Sequence, residues 1–202
     1  MIILLGGGGH ASVLLEILEH YQHKIIGFTA PEFCEIKNRS DILYLGPDAI
    51  IEQYSPKEIL LINAMGSTTL ASNQKRADNF LKFKQRGYYF KKLIHPSAII
   101  AKNAVIQEGA QIMAAAVIQP NVVIGQNVII NTRSSIDHDC HIGDHVHVAP
   151  GVVMSGNVEI SQGSFIGVGS VLIQGVQVSE NSFIRAGSRV LKDVVISKVE
   201  CI

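Results

Sequence analysis

A large aliphatic residue recurs at every sixth position in the second half of the chain, without a miss from Ile94 to Val190. A small or branched residue stands four positions after each of them, from Ala98 through Cys140 to Val194. Neither an α-helix nor a simple β-strand has a period of six. The period predicts a parallel β-helix with three flat sides, in which about eighteen residues complete one coil and both sets of side chains fill a triangular core.

The first part of the chain alternates between short apolar runs and helix-like periodicity, which predicts a small parallel α/β sheet. Predicted strands cover Met1 to Leu5, Lys24 to Phe28, Glu58 to Asn63 and Tyr88 to Leu93, and predicted helices follow the first glycine run and span Leu70 to Gly87. The sequence therefore predicts an α/β domain over residues 1–92 and an all-β helix over residues 93–202.

Composition favours a soluble protein that acts on small molecules. The 202 residues are 47% hydrophobic and carry 17 acidic and 17 basic side chains, so no basic surface for nucleic acid is expected. The N-terminal apolar run has no basic leader and is too short for a signal peptide or a membrane span. Three cysteines (Cys34, Cys140 and Cys201) are odd in number and unpaired in spacing, which predicts a reduced, cytoplasmic protein.

A glycine-rich turn follows the first predicted strand, where Gly6-x-Gly8-x-x-Ala11 fits the loose dinucleotide-binding pattern. The acidic residue expected about twenty positions later is absent, because Thr29-Ala30-Pro31 stands there. This disfavours NAD and leaves a different phosphate-bearing ligand or a plain structural turn. His10 ends the turn, and a second loop from Asn63 to Ser67 is expected at the same edge of the sheet, where it could equally be a tight turn and helix cap.

Residues 131–147 of the predicted β-helix contain four histidines and three aspartates. Gly156 lies eighteen residues after His138 and is therefore expected in the adjacent coil, about 4.8 Å away. A histidine beside an open glycine amide supplies a general base and an oxyanion donor, which suits acyl transfer from a thioester. Asp139 could orient the His138 ring only if the backbone turns there. His147 is half a coil away, so it could cooperate with His138 only across a subunit boundary, as in a symmetric trimer.

Two other interpretations of this segment remain open. Several histidines could bind a catalytic zinc ion, although His141 and His147 share a phase along the coil while His138 and His145 do not, and carboxylates crowd the segment. Alternatively, the polar coils could simply be solvated. In the last coils, Val168 and Ala186-Gly187 either line a groove for a long cofactor arm or form ordinary corners.

These motifs resemble a known family, the bacterial sugar acetyltransferases that join a small Rossmann-like domain to a left-handed β-helix. The resemblance covers essentially the whole chain and rests on GGGGHA at the start, LIHPSA at the junction, and DHDCHIGDHVHVAPG followed by SGNV in the β-helix. The family includes UDP-4-amino-sugar N-acetyltransferases and sialic acid O-acetyltransferases.

The resemblance implies acetyl-CoA as cosubstrate, no metal, and a homotrimer with active sites between subunits. It implies that His138 is the general base and that Asp139 raises its basicity. The residues implied for the acetyl-CoA site are His147, Gly156, Val168, Ala186 and Gly187. Those implied for the nucleotide-sugar are Gly8, Gly9, His10, Asn63 and Gly66.

The sequence therefore predicts a cytoplasmic N-acetyltransferase that acts on a UDP-4-amino sugar of a bacterial surface glycan. One alternative is O-acetylation of a sialic-type acid, and another is a non-catalytic nucleotide-binding module that uses the β-helix for trimerisation. The second alternative predicts no thioester turnover.

Overall fold

The computed structural model describes residues 1–21 and 23–195. Its N-terminal part, here called the α/β unit, contains β1 (Ile2–Leu5), α1 (Gly9–Glu19), β2 (Ile25–Thr29), β3 (Tyr44–Gly46), a 3-10 helix (Asp48–Gln53), β4 (Leu60–Asn63), α2 (Leu70–Gln85) and β5 (Tyr89–Phe90). The five strands are parallel in the order β3-β2-β1-β4-β5. Cys201 lies outside the described residues.

The central strand β1 is buried on both faces, as expected for a parallel sheet covered by helices. Ile2 and Leu4 pack in the core that contains α1, whereas Ile3 and Leu5 pack in the core that contains Phe80 and Phe83 of α2. This alternation follows from the two-residue period of a strand. The two loops that the sequence predicts at the carboxyl edge of the sheet follow β1 and β4.

Two elements of the α/β unit differ from the sequence prediction. Strand β3 and the 3-10 helix were not predicted, because β3 is a three-residue edge strand and is too short to show a period. The predicted strand from Tyr88 to Leu93 is two strands. Lys91 N–H donates to Leu61 O of the α/β sheet, whereas Leu93 N–H donates to Ala110 O in the next coil of the prism.

The second part, here called the prism, has three parallel sheets. Its strands are β6 (Leu93–Ile94), β7 (Ile99–Ile100), β8 (Val105–Ile106), β9 (Gln111–Ile112), β10 (Val117–Ile118), β11 (Val123–Ile124), β12 (Ile129–Ile130), β13 (Ser135–Ile136), β14 (His141–Ile142), β15 (His147–Val148), β16 (Val153–Met154), β17 (Glu159–Ile160), β18 (Phe165–Ile166), β19 (Val171–Leu172), β20 (Gln177–Val178), β21 (Phe183–Ile184) and β22 (Arg189–Val190). Sheet one runs from β7 to β22 in steps of three strands, sheet two from β8 to β20, and sheet three from β6 to β21.

Residues pair across coils at a spacing of eighteen, as Val117 with Ser135 and Ser135 with Val153 in sheet one. The periodic aliphatics and the small residues between them form one buried core, which confirms the expectation from the six-residue period. From Gly109 to Gly187, each side ends in a turn whose second residue has a positive φ. Glycine or asparagine occupies most of these corners, whereas Asp139 (φ 59°) and His145 (φ 62°) occupy two of them.

The α/β unit packs directly onto sheet three. Leu93, Met113 and Ile129 of the prism belong to the same buried core as α1. Lys84 of α2 forms a salt bridge with Glu108 of the prism at 2.8 Å. No helix among the described residues has the length and apolar character needed to cross a membrane.

Candidate active site

His138 lies at the corner where sheet one meets sheet two, directly after β13. Its side chain is half-exposed. The turn at Asp139 bends the backbone, so these adjacent side chains converge instead of pointing apart, and His138 Nδ1 lies 2.7 Å from Asp139 Oδ2. Asn121 donates to the other carboxylate oxygen at 2.8 Å. The sequence reasoning missed Asn121, although its position eighteen residues before Asp139 was a usable signal.

The Asp139 carboxylate raises the pKa of His138, chiefly through this hydrogen bond, against a smaller opposing effect of desolvation. The same bond lowers the pKa of Asp139. Since Asp139 accepts at Nδ1, the Nε2 atom of the neutral ring is unprotonated and can take a proton. A pKa above the usual value also makes the ring a stronger base.

Gly156 lies against the His138 ring, as the eighteen-residue spacing predicts. A Cβ at this position would lie 2.5 Å from His138 Cε1 and 2.6 Å from Nε2, so only glycine leaves room for the ring. The N–H of Gly156 donates to no acceptor within residues 1–21 and 23–195. A proton acceptor and an uncommitted amide donor therefore lie side by side at this corner.

His147 lies on a different side of the prism, in β15 of sheet three, and is 5% exposed beneath the α/β unit. Its Nδ1 is 2.6 Å from Ser67 Oγ, and its Nε2 is 3.4 Å from Asn131 Nδ2. Burial, with smaller effects of Arg76 and His10, holds its pKa well below the usual range. Within one subunit His147 is therefore a neutral imidazole separate from His138. Its predicted role at the thioester stays a prediction.

Val168 and the Ala186-Gly187 pair share the third corner of the prism, between sheets three and one. They stack in consecutive coils, with Gly187 N–H donating to Val168 O at 2.7 Å. All are exposed, Val168 by 53%. These residues and Gly156 lie along different edges of the prism. Within one subunit, the residues predicted to bind acetyl-CoA therefore do not form a single site.

The glycine turn and the loop after β4 meet at the carboxyl edge of the sheet, as predicted. Helix α1 begins at Gly9, and side chains at Gly8 and Gly9 would meet open space. Gly66 packs on His10, where an added Cβ would be 3.2 Å from His10 Cβ. The first amides of α1, which have no partner within the helix, thus border an open surface that suits an anionic group.

The His10 imidazole points from this surface toward the prism. Its Nε2 is 2.7 Å from Gln111 Oε1, while Gln111 Nε2 donates to Asn63 O at 2.7 Å. Burial lowers the pKa of His10 to about 4; the Gln111 hydrogen bond opposes this shift and Arg76 adds to it. His10 is therefore a neutral group at the junction of the two parts.

Asn63, whose predicted contact with the substrate stays a prediction, has a side chain that faces the interior. Its side chain is 1% exposed and donates to Arg76 O at 2.8 Å and to Asn127 Oδ1 at 3.2 Å. Because these bonds join β4 to α2 and to the prism, the Asn63 side chain supports the loop from below. The residues that follow Asn63 in this loop border the open surface.

An acidic residue reaches the end of β2 from another part of the chain. Thr29 Oγ1 donates to Asp48 Oδ1 at 2.5 Å. Asp48, the first residue of the 3-10 helix, therefore places a carboxylate at the end of β2, where Thr29-Ala30-Pro31 supplies none. Asp48 borders a cavity of about 390 Å³ that is also lined by Met65, Lys75 and Lys82. The sequence offered no periodic signal for this contact.

The four prism histidines do not converge on one point. His141 is exposed on sheet two, and His145 lies under α2 with its pKa lowered to about 4 by burial and, to a smaller extent, by Arg76. In the described part of the chain, the one set of three possible metal ligands is Glu16, His20 and His95. Ser97 N–H donates to His95 Nδ1 at 3.0 Å, so the neutral His95 ring carries its proton on Nε2, facing Glu16. A neutral imidazole that bound a metal through Nε2 would carry its proton on Nδ1, where it would oppose the Ser97 N–H.

Two protein-family models match this chain. The model of the PglD N-terminal domain matches residues 1–78, and the model of the bacterial transferase hexapeptide (six repeats) matches residues 121–156. The second match includes both His138 and Gly156. The two matches thus fall separately on the α/β unit and on the prism.

Solved structures are similar over nearly the whole chain. PerB from Caulobacter crescentus, solved in complex with CoA and GDP-perosamine, is 28% identical, with 96% of this chain and 89% of that chain covered and a TM-score of 0.87. The acetyltransferase domain of PglB from Neisseria gonorrhoeae FA1090, in complex with acetyl coenzyme A, is 30% identical, with 96% and 91% covered and a TM-score of 0.85. WeeI from Acinetobacter baumannii AYE is 20% identical with a TM-score of 0.83 and shares the fold. The chain therefore belongs to the bacterial sugar acetyltransferases that join a PglD-type N-terminal domain to a left-handed β-helix of hexapeptide repeats.

Proposed function

We propose that this protein transfers the acetyl group of acetyl-CoA to the amine of a nucleotide-activated 4-amino sugar, with His138 as the general base. The observation that carries the proposal is the contact of the His138 ring with Gly156, which brings a proton acceptor next to an amide N–H that donates to no acceptor in the described residues. Relatives solved with CoA and GDP-perosamine, and with acetyl coenzyme A, support both substrates.

The proposed reaction begins with attack of the neutral amine nitrogen on the thioester carbonyl carbon. The Gly156 N–H donates to the oxygen that becomes negative, and His138 Nε2 takes a proton from the attacking nitrogen. The C–S bond then breaks, the carbonyl re-forms, and the proton on His138 passes to the CoA thiolate. Asp139 stabilises the imidazolium between these two transfers, as its hydrogen bond to Nδ1 implies.

We infer that the active enzyme is a homotrimer with sites between subunits. Sheet one presents a mostly apolar ladder that Ser135 interrupts, with Ile99 at 66%, Val153 at 46% and Val171 at 43% exposure. Such a stripe on a soluble protein favours an interface. His138 lies at one edge of this sheet and Val168 at the other, so side-by-side packing of prisms would bring the two edges of neighbouring subunits together.

The nucleotide-sugar is proposed to bind at the glycine turn and the loop after β4. Asp48 near the end of β2, with Lys75 and Lys82 beside it, offers an acidic group and two cations to a nucleotide. The reduced thiols of Cys34 and Cys140 and the use of acetyl-CoA support a cytoplasmic location.

The test incubates purified protein with acetyl-CoA and with UDP- and GDP-linked 4-amino sugars, or with sialic-type acids, and measures thiol release and product mass. We expect acetylation of a nucleotide-linked amine that is lost in His138→Ala. Acetylation of only the sialic-type acids would replace this function by O-acetylation. Absence of thiol release with every acceptor, in a protein that binds acetyl-CoA, would refute the proposed function.

A further inference from the structure

A chain of buried polar side chains runs from α2 to His147 through the contact between the α/β unit and the prism. Its members are Arg76, Asn73 and Ser67, which are 0%, 1% and 5% exposed. Buried polar groups are costly unless they are paired, and each of these is hydrogen-bonded. Because water is excluded, the side chains themselves determine where each proton lies.

The amide of Asn73 can have only one orientation. Its Nδ2 donates to the backbone oxygens of His145 at 3.1 Å and Gly163 at 2.8 Å. Its Oδ1 accepts from Arg76 Nη2 at 3.0 Å and Nε at 3.3 Å. Carbonyl oxygens cannot donate and a guanidinium cannot accept, so exchanging the two ends of the amide would break all four bonds.

This orientation determines the direction of the next hydrogen bond. Ser67 Oγ lies 3.1 Å from Asn73 Oδ1, and an amide oxygen can only accept. The single hydroxyl proton of Ser67 is therefore used toward Asn73. At the 2.6 Å contact with His147 Nδ1, the Ser67 oxygen must accept, so His147 carries a proton on Nδ1.

The other ring nitrogen of His147 then has no proton. The ring is buried near Arg76 and His10, and this surrounding keeps it neutral. On its far side, Asn131 Oδ1 accepts from Thr132 N–H at 2.8 Å, which turns Asn131 Nδ2 toward His147 Nε2 at 3.4 Å. The contacts at both ring nitrogens agree on the same tautomer.

We propose that Ser67, held by Asn73 and Arg76, fixes His147 in the Nδ1–H tautomer and so leaves Nε2 as an unprotonated hydrogen-bond acceptor for the reaction. Nε2 is directed toward Asn131, beside the corner of the prism that carries Val168. Ser67 is in this view a positioning residue on the α/β unit that acts through a histidine of the prism. The catalytic part of this inference rests on the proposed function.

The tautomer limits what His147 can do chemically. A bare Nε2 cannot protonate the departing thiolate, so that proton must come from His138. It can accept a hydrogen bond from one N–H of the acceptor amine in place of the 3.4 Å bond from Asn131 Nδ2, which would aim the nitrogen lone pair at the thioester carbon. No proton is transferred to or from His147 in this role.

The tautomer can be measured without any substrate. Solid-state NMR of protein labelled with ¹³C and ¹⁵N at histidine correlates each Cδ2 with its bonded Nε2, and the signals that vanish in His147→Asn belong to His147. We expect an unprotonated Nε2 in the wild type and in Ser67→Thr, and a shift toward the Nε2–H tautomer in Ser67→Ala. A protonated Nε2 in the wild type would overturn the assignment of the tautomer. An unchanged tautomer in Ser67→Ala would show that Asn131 holds it alone, and would overturn the role of Ser67.

Kinetics test the consequence for the reaction. Losing one oriented hydrogen bond is expected to lower kcat of Ser67→Ala about five- to tenfold. The KM for acetyl-CoA and the pH limb of His138 should be unchanged, and Ser67→Thr should restore kcat. Thr69→Ala is the matched control, because it removes a neighbouring hydroxyl that caps α2 but lies outside the chain of bonds.

The two proposals fail in distinguishable ways. Absence of acetyl transfer on every acceptor would refute the proposed function and leave the NMR result standing. Active enzyme with full kcat in Ser67→Ala, although its His147 tautomer had changed, would refute the role of His147 as the acceptor. A loss of kcat equally large in Thr69→Ala would reduce Ser67 to a structural residue of α2.

Discussion

The substitution Gly156→Ala tests the core of the proposed mechanism with a single methyl group. The new Cβ would lie 2.5 Å from His138 Cε1, whereas ordinary contacts begin at 3.4 Å, so the ring must move by about 0.9 Å. A displacement of about 1 Å in a catalytic group costs on the order of 100-fold in rate. The hydrogen bond from His138 to Asp139 would be strained by the same movement.

The backbone of Gly156 does not require glycine, since its φ is outside the left-handed region. The free energy of unfolding should therefore change by less than about 1 kcal/mol. We expect kcat for thiol release to fall about 100-fold, while the melting temperature and the affinity for acetyl-CoA stay close to those of the wild type.

Two controls separate displacement of the ring from other effects of the methyl group. Gly175→Asn changes the next corner along the same edge of the prism, where a side chain meets open space, and Asn already occupies the equivalent corner positions 157 and 181. It should keep nearly full activity. In a His138→Ala background, adding Gly156→Ala should cost little more. A Gly156→Ala enzyme with kcat within threefold of the wild type would refute the proposed role of this contact.

Asp139→Asn removes the main cause of the raised pKa of His138, so the acid limb of kcat/KM should move to lower pH and the plateau should fall, as a pH–rate profile would show; an unmoved limb would contradict the assignment. The pKa values of His10 and His145 are lowered to about 4 from 6.5, so the unfolded chain binds protons first and stability should be full above pH 6.5 and decline toward pH 4. Urea titrations should show a loss on the order of 6 kcal/mol over that window, about 3 kcal/mol for each ring, and a flat profile would contradict burial of these rings. Val153→Asp places a charge in the apolar ladder and should lower the mass measured by light scattering from that of a trimer of 21.9 kDa chains; a trimer that persists would place the interface elsewhere.

Much of the candidate site followed from periodicity. The spacing of eighteen between His138 and Gly156 predicted their contact, and the structure confirms it. The bond between His138 and Asp139 needed a corner, which the positive φ of Asp139 provides. Asn121 was missed although it obeys the same spacing, because asparagine at a corner is also explained by its tolerance of this backbone conformation.

Other parts of the site had no periodic signal. Asp48 stands 19 residues after Thr29 and reaches it only because the 3-10 helix follows an edge strand too short to be predicted. Asn63 looked like a loop residue at the mouth of a strand, but contact with the prism buries it. Such contacts depend on how the two parts of the chain pack, and each part alone does not specify them.

The sequence by itself determined the prism and the corner that carries His138. Every coil repeats the same local contacts, and the six-residue period sets which residues pair between neighbouring coils. Only the tertiary structure decided the state of His147. Its partner Ser67 is 80 residues away, in the α/β unit, which has no repeat. The proton on His147 Nδ1 follows from a buried hydrogen-bond network that exists only after the α/β unit has packed on sheet three. Local periodicity sets positions along the prism, whereas the exclusion of water between two packed surfaces sets the protonation of the groups they bury.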